Sequence, residues 1–211
     1  MKNLIINEKL VVLFRSMPFE KFVKCVDALK EAGVKVIEIC FNAKNSGEDQ
    51  PTLDKIRYIA ENEPQLCVGA GTVWHAEQVE AAYRAGAKFI VSPGTVAEVI
   101  AKTKELGMVS IPGACTPTEC FAAHALGADI VKLFPLKQED IPYFTNIRTP
   151  LPDIRFMATG GINAGNIQAF LQAGVDAVGT GASILKQDLL DKEDYAAIRK
   201  LAAEHVKAIK N

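Results

Sequence analysis

A glycine that ends a helix and runs at once into an apolar strand recurs along this 211-residue chain, and that repeat restricts the fold more than any other feature. It reads Ala32-Gly33-Val34, Ala85-Gly86-Ala87, Leu106-Gly107-Met108, Leu126-Gly127-Ala128 and Ala173-Gly174-Val175. The residue after a helix often needs a left-handed backbone, which glycine adopts without steric cost. Gly86, Gly107 and Gly127 are 21 and 20 residues apart, the length of a compact strand–helix unit. Eight strands are expected: Leu10–Arg15, Val34–Phe41, Leu66–Gly71, Lys88–Pro93, Met108–Gly113, Asp129–Pro135, Ile154–Gly161 and Asp176–Gly181. They are short and rich in Val, Ile and Ala, as strands covered on both faces should be.

The intervening segments carry one-sided apolar patterns. Phe19, Phe22, Val23, Val26 and Leu29 form the expected inward face of one helix, and Ala76, Val79, Tyr83 and Gly86 that of another. The last helix is expected from about Asp194 to Ile209, with Tyr195, Ile198, Ala202 and Ile209 inward. Prolines 142, 150 and 152 shorten the helix of the sixth connection. Eight alternating units predict an α/β chain folded as a (β/α)8 TIM barrel, one domain over residues 1–211. A doubly wound open sheet is the structural alternative.

Lys+Arg 24 against Asp+Glu 25 leaves no basic excess to attract nucleic acid or a lipid surface. The five cysteines are odd in number and lack C-x-x-C or zinc spacing, which fits reduced thiols in a cytoplasmic protein. Met1 to Glu8 is too polar for a signal peptide, and no apolar run reaches membrane-spanning length.

The sixth strand, Asp129-Ile-Val-Lys-Leu-Phe-Pro135, places Lys132 between Val131 and Leu133. A buried ammonium is costly, and burial lowers its pKa toward a neutral, nucleophilic amine. Lys132 is therefore a candidate Schiff-base residue. Alternation turns Glu38 inward with Val36 and Cys40, late in the second strand. Arg15 ends the first strand, and Thr72 follows the third in Gly69-Ala-Gly-Thr72. Barrels collect their chemistry at the carboxyl ends of strands. Lys132 as nucleophile, Glu38 as proton shuttle and Arg15 as carboxylate clamp or pKa modifier form a coherent set. A self-neutralising Arg–Glu–Lys network is the alternative reading.

Thr159-Gly160-Gly161 and Gly179-Thr-Gly181-Ala-Ser183 end the seventh and eighth strands, where barrels often bind phosphate through backbone N–H groups. The latter lacks the third glycine of a dinucleotide fingerprint. His75, His124 and His205 are isolated and read as surface or helix-packing residues, and no cluster has metal-ligand spacing. Trp74 suits either a pocket wall or ordinary packing.

The ordered set Val-Ile-Glu38-Ile, Val68-Gly-Ala-Gly-Thr72-Val, Val91-Ser-Pro93-Gly94, Ile111-Pro-Gly113, Thr116-Pro-Thr-Glu119, Val131-Lys132-Leu-Phe134-Pro135, Thr159-Gly-Gly-Ile162 and Gly181-Ala-Ser183 resembles the 2-keto-3-deoxy-6-phosphogluconate/4-hydroxy-2-oxoglutarate (KDPG/KHG) aldolases. It spans roughly Leu10 to Leu185. The resemblance implies a class I aldolase that needs no metal or organic cofactor, is usually a homotrimer, and acts on a phosphorylated 2-keto-3-deoxy sugar acid to release pyruvate. It implies Lys132 and Glu38 as the catalytic pair. Arg15, Thr72, Pro93, Phe134 and Thr159 then surround the substrate, and Gly160, Gly161, Gly181 and Ser183 hold the phosphate. The chain departs from the family at Cys40-Phe41-Asn42, where phosphogluconate enzymes usually carry Thr-Leu-Arg. Asparagine there looks more like the phosphogalactonate branch. Ala43 to Pro51 reads as a charged active-face loop, with Lys44 a candidate replacement cation.

Overall fold

Apolar runs bounded by turns become short parallel strands in the computed structural model, which describes residues 1–42 and 49–210. Helix α1 (Lys2–Glu8) precedes β1 (Leu10–Phe14), α2 (Phe19–Glu31), β2 (Val36–Cys40) and α3 (Gln50–Asn62). β3 (Cys67–Gly71), α4 (Ala76–Arg84), β4 (Phe89–Val91), α5 (Ala97–Glu105), β5 (Val109–Ile111), β6 (Gly113–Ala114) and α6 (Pro117–Ala125) follow. The chain continues through β7 (Val131–Leu133), a 3-10 turn at Gln138–Asp140, α7 (Ile141–Arg148), β8 (Phe156–Thr159), α8 (Ile167–Gln172), β9 (Ala177–Thr180), α9 (Gln187–Asp191) and α10 (Tyr195–Lys210).

The order around the sheet is β5-β4-β3-β2-β1-β9-β8-β7-β6, with parallel pairing throughout. β5 and β6 are two halves of the expected fifth strand, split at Pro112, which has no N–H to give the ladder. Its carbonyl still accepts from the Lys132 amide at 2.8 Å, and Ser110 O accepts from Asp129 at 2.9 Å. The two ends of the sheet therefore meet, and the barrel expectation holds over the open sheet.

Alternation divides the apolar residues between two cores. Val11, Val36, Cys67, Phe89, Val109, Ile111, Ile130, Met157 and Ala177 fill the inside of the barrel. Val12, Phe14, Ile37, Ile39, Val68, Ile90 and Phe156 point outward under the helices. Ile5 of α1 is fully buried with the inner set, so α1 closes the end of the barrel where the strands begin. The sequence reading had no helix there. Asp129 and Asp176 repeat one device at strand starts: each carboxylate accepts a neighbouring strand's amide, Ser110 N–H at 2.9 Å and Phe156 N–H at 2.8 Å.

Gly33, Gly86, Gly107, Gly127 and Gly174 all have positive φ, as their helix-ending positions require. Some helix faces differ from expectation. Tyr83 and Phe19 are exposed, whereas Gln78 and Ala82 on α4 and Cys25 and Ala28 on α2 are buried. The second active-face loop is shorter than expected, because Gln50 and Pro51 already belong to α3. Lys44 lies outside the described residues. Among these, no helix is long and apolar enough to cross a membrane.

Candidate active site

Two inward residues on different staves mark the candidate site. Glu38 lies on β2 at 2% exposure, and Lys132 on β7 at 8%. The sequence makes room for the carboxylate locally: a Cβ on Gly71, in adjacent β3, would overlap Glu38 Oε1. Gly69, one step earlier on the same face, leaves the space taken by the Phe89 ring. The glycines of Gly69-Ala-Gly71 thus admit one large apolar and one acidic side chain to the interior.

Burial raises the pKa of Glu38, opposed by Lys132, the Cys40 thiol and Arg15. Burial lowers the pKa of Lys132, opposed by Glu38 and Cys40. Both shifts favour the neutral forms, an amine beside a carboxylic acid. Such a pair has a nucleophile at one point and a proton donor at another. The Cys40 thiol donates to Glu38 Oε1 at 3.3 Å, and burial followed by the Glu38 charge holds that thiol well above its ordinary pKa. Glu38 Oε2 is buried and makes no hydrogen bond among the described residues.

Thr72 follows β3 with φ 58°, a left-handed backbone that costs a β-branched residue of order 1–3 kcal/mol. Its side chain lies near the Cys40 thiol and lowers that thiol's pKa, so the strained turn borders the residue that supports Glu38. Lys132 Nζ lies 5.4 Å from the Phe134 ring centroid, and Phe134 is itself exposed at the mouth. Thr159 is buried with Oγ1 at 3.5 Å from the Leu133 carbonyl. Pro93 is half-buried, and its carbonyl packs so closely on Gly113 that a Cβ there would overlap it. Arg15 falls one residue beyond β1 and is exposed, where a strand-end position inside the barrel was expected. It still acts electrostatically on Glu38.

Lys55 was missed by sequence reasoning. It is buried on α3 and donates to the Met17 carbonyl at 2.7 Å, with its ammonium 5.9 Å from the Phe22 ring. With Arg15, Cys40 and Asn42 it lines a cavity of about 50 Å³. Burial lowers its pKa. The signal was available: Thr52, Lys55, Ile56 and Ile59 fall on one helical face, an apolar stripe containing a lysine.

At the ends of β8 and β9, Gly160 and Gly161 have φ 126° and 67°. The N–H groups of Gly160, Gly161, Ala182 and Ser183 donate to nothing among the described residues. A Cβ on Gly181 would overlap the Leu13 carbonyl. The Ser183 hydroxyl turns back into the fold, to Thr180 Oγ1 at 2.7 Å and His205 Nε2 at 2.8 Å. Of the three histidines, only His205 is buried, while His75 and His124 are exposed. Trp74 is exposed, its amide bonded to Gln78 Oε1 at 2.9 Å.

A family model described as KDPG and KHG aldolase matches residues 1–201. The chain belongs to the KDPG and KHG aldolase family. It is 32% identical over 180 residues to the 2-dehydro-3-deoxy-phosphogluconate aldolase of Pseudomonas aeruginosa, covering 84% of this chain and 79% of that protein. It is 30% identical over 178 residues to the 2-dehydro-3-deoxy-6-phosphogalactonate aldolase of Escherichia coli K12, covering 84% of each. A solved structure described as native KDPGal superposes with a TM-score of 0.83 at 29% identity, over 95% of this chain and 94% of that one. This aldolase stands about equally near the gluconate and galactonate branches by identity.

Proposed function

We propose that this aldolase cleaves 2-keto-3-deoxy-6-phosphogluconate to pyruvate and glyceraldehyde 3-phosphate through an imine on Lys132. The observation that carries the reading is the pairing inside one barrel of a buried lysine driven toward its neutral form with a buried carboxyl driven toward its protonated form. The Lys132 amine adds to the C2 ketone, Glu38 delivers the proton that lets hydroxide leave as water, and an iminium results. A proton leaves the C4 hydroxyl for Glu38 as the C3–C4 bond breaks. The bond electrons pass into the iminium to give an enamine, and the aldehyde departs. Protonation of C3 and hydrolysis release pyruvate and restore the amine.

The unbonded Glu38 oxygen supports its part in these transfers, since a buried oxygen with no partner among the described residues is suited to a substrate hydroxyl or water. The sugar-acid carboxylate is assigned to Arg15, the pyruvyl group that bears it to Thr72, Pro93, Phe134 and Thr159, and the phosphate to the N–H groups around Gly160, Gly161, Gly181 and Ser183. Ser183 contributes its amide in this reading, because its hydroxyl is engaged elsewhere. Residues 1–211 act as one catalytic domain, and we assign the enzyme to the cytoplasm on its five free thiols and expect a homotrimer.

Borohydride reduction in the presence of pyruvate tests the chemistry, with a covalent adduct at Lys132 expected. An unmodified lysine removes the imine and leaves a phosphosugar isomerase or epimerase, while ligand binding without pyruvate release in a lactate-dehydrogenase assay leaves a sensor. Asn42 and the Escherichia coli relative favour 2-keto-3-deoxy-6-phosphogalactonate as the second substrate reading. Comparing kcat/KM for the two epimers and for 4-hydroxy-2-oxoglutarate decides it.

A further inference from the structure

Behind the phosphate turns runs a chain of four short hydrogen bonds that ends on a carbonyl at both sides. Thr180 Oγ1 bonds the Ile162 carbonyl at 2.8 Å, and Thr180 Oγ1 meets Ser183 Oγ at 2.7 Å. Ser183 Oγ meets His205 Nε2 at 2.8 Å, and His205 Nδ1 meets the Leu201 carbonyl at 2.7 Å. Each link needs one hydrogen. The two carbonyls supply none, Thr180 and Ser183 supply one each, and a neutral imidazole supplies one. Three hydrogens cannot fill four links. Only the imidazolium, with two N–H groups, fills the chain.

We propose that His205 is a positioning residue of the phosphate cradle and takes up one proton from solvent when a phosphorylated ligand binds there. This rests on the reading that the phosphate sits at the turns of Gly160–Gly161 and Gly181–Ser183. Burial lowers the His205 pKa, so without ligand the ring is neutral at neutral pH and one link is unmade. A phosphate dianion on the Ser183 side favours the charged ring, which then completes the chain and fixes the Ser183 turn against α10.

The other groups around the ring do not supply that charge. After burial and the Leu201 hydrogen bond, Glu204 on α10 raises its pKa and Lys186, ahead of α9, lowers it. α2 presents Glu31 to Arg199 and Lys24 to the Tyr195 ring, further back along α10. α8 contributes the neutral Gln168 to the Ala208 carbonyl, α9 bonds its Asp191 to Gln187, and β1 packs apolar residues only.

The test is calorimetric titration of inorganic phosphate into the intact protein at about pH 8, where phosphate is already mostly the dianion, in buffers of differing ionisation enthalpy, with histidine side-chain nitrogen shifts followed by NMR. Uptake approaching one proton is expected, with His205 alone of the three histidines moving to the charged form. Thr180→Val removes the first two links, and the hydrogens of Ser183 and a neutral ring then fill the two that remain. Phosphate should still bind to this variant, and the uptake should vanish. For the wild type, KM for the phosphorylated substrate should climb by up to tenfold per pH unit above the free ring's pKa, while KM for 4-hydroxy-2-oxoglutarate does not follow. Phosphate that shifts the Gly161 and Ser183 amides with no proton uptake overturns the inference and leaves the cradle standing. Uptake unchanged in Thr180→Val also overturns it. Amides untouched by phosphate, with Lys132 still trapped by pyruvate, remove the cradle and this inference together.

Discussion

The Glu38 carboxylate occupies the space a side chain on Gly71 would need: a Cβ built there overlaps Oε1 and crowds the rest of the carboxyl group. The acid is therefore placed by what its neighbour lacks. Gly71→Ala should push Glu38 off its position while leaving Lys132 on the far stave. Overpacking of this kind costs about 1–3 kcal/mol, so the variant should still fold. Its kcat should drop on the order of 100-fold, as small misplacements of a reacting group do, with pyruvate trapping at Lys132 retained. Thermal melting and kcat measured together check both parts. Full activity would show that Glu38 tolerates displacement.

Glu38 and Lys132 also fix the expected pH behaviour. The folded pKa of Glu38 is raised, so the group destabilises the fold as pH rises above its unfolded value of about 4.5, and the loss is complete above the folded pKa. Glu38→Gln should therefore melt higher than the wild type, with the gap widening from acid to neutral pH. The same variant should lose about 100- to 10,000-fold in kcat, the usual worth of a general acid–base. Wild-type kcat/KM should follow a bell, failing at low pH as Lys132 is protonated and at high pH as Glu38 loses its proton. Glu38→Gln should lose the alkaline limb. Tm and rate profiles across pH provide the readout, and an alkaline limb kept by the variant assigns it to another group.

Much of this was legible because two rules operate locally. Helix-ending glycines announce a positive φ, and period-two alternation puts Val36, Glu38 and Cys40 on one face whatever the barrel's details. What escaped depends on distant packing. Ile5 is apolar in a short polar stretch, and only the open end of the barrel makes it a plug. Pro112 splits the fifth strand because of where its missing N–H falls in the ladder. His205 is a helix residue like His124 until the fold brings Ser183 beneath it. Phe19 and Tyr83 fit their apolar patterns, yet they sit at the first and near the last turn of their helices, where the face passes the edge of the contact.

Thr72 separates stability from function. Its left-handed backbone is strained for a β-branched side chain, yet its hydroxyl acts on the Cys40 thiol beside Glu38. Thr72→Gly should relieve about 1–2 kcal/mol of backbone strain, offset in part by glycine's greater unfolded-state entropy. The expected result is an unchanged or higher melting temperature with kcat/KM down about tenfold, since one neutral hydrogen bond is worth about 0.5–1.5 kcal/mol. Denaturant melts and steady-state kinetics measure the two effects separately. A parallel fall in both would mean the turn is held by the side chain and carries no strain.

Lys55 provides the last case, because it holds the loop that carries Arg15. Its ammonium donates to the Met17 carbonyl, two residues beyond Arg15, and lines the same cavity. Lys55→Met keeps the aliphatic stem and the packing on Phe22 but leaves the Met17 carbonyl without its charged donor. Removing one partner of a buried bond to a charged group costs about 1.5–3 kcal/mol, against which the relief of a desolvated ammonium is set. Net stability should change little, whereas the Arg15 loop should loosen. KM should rise several-fold with kcat within about twofold of wild type, the pattern of lost uniform binding. An unchanged KM would detach Lys55 from substrate binding and leave it a structural lysine.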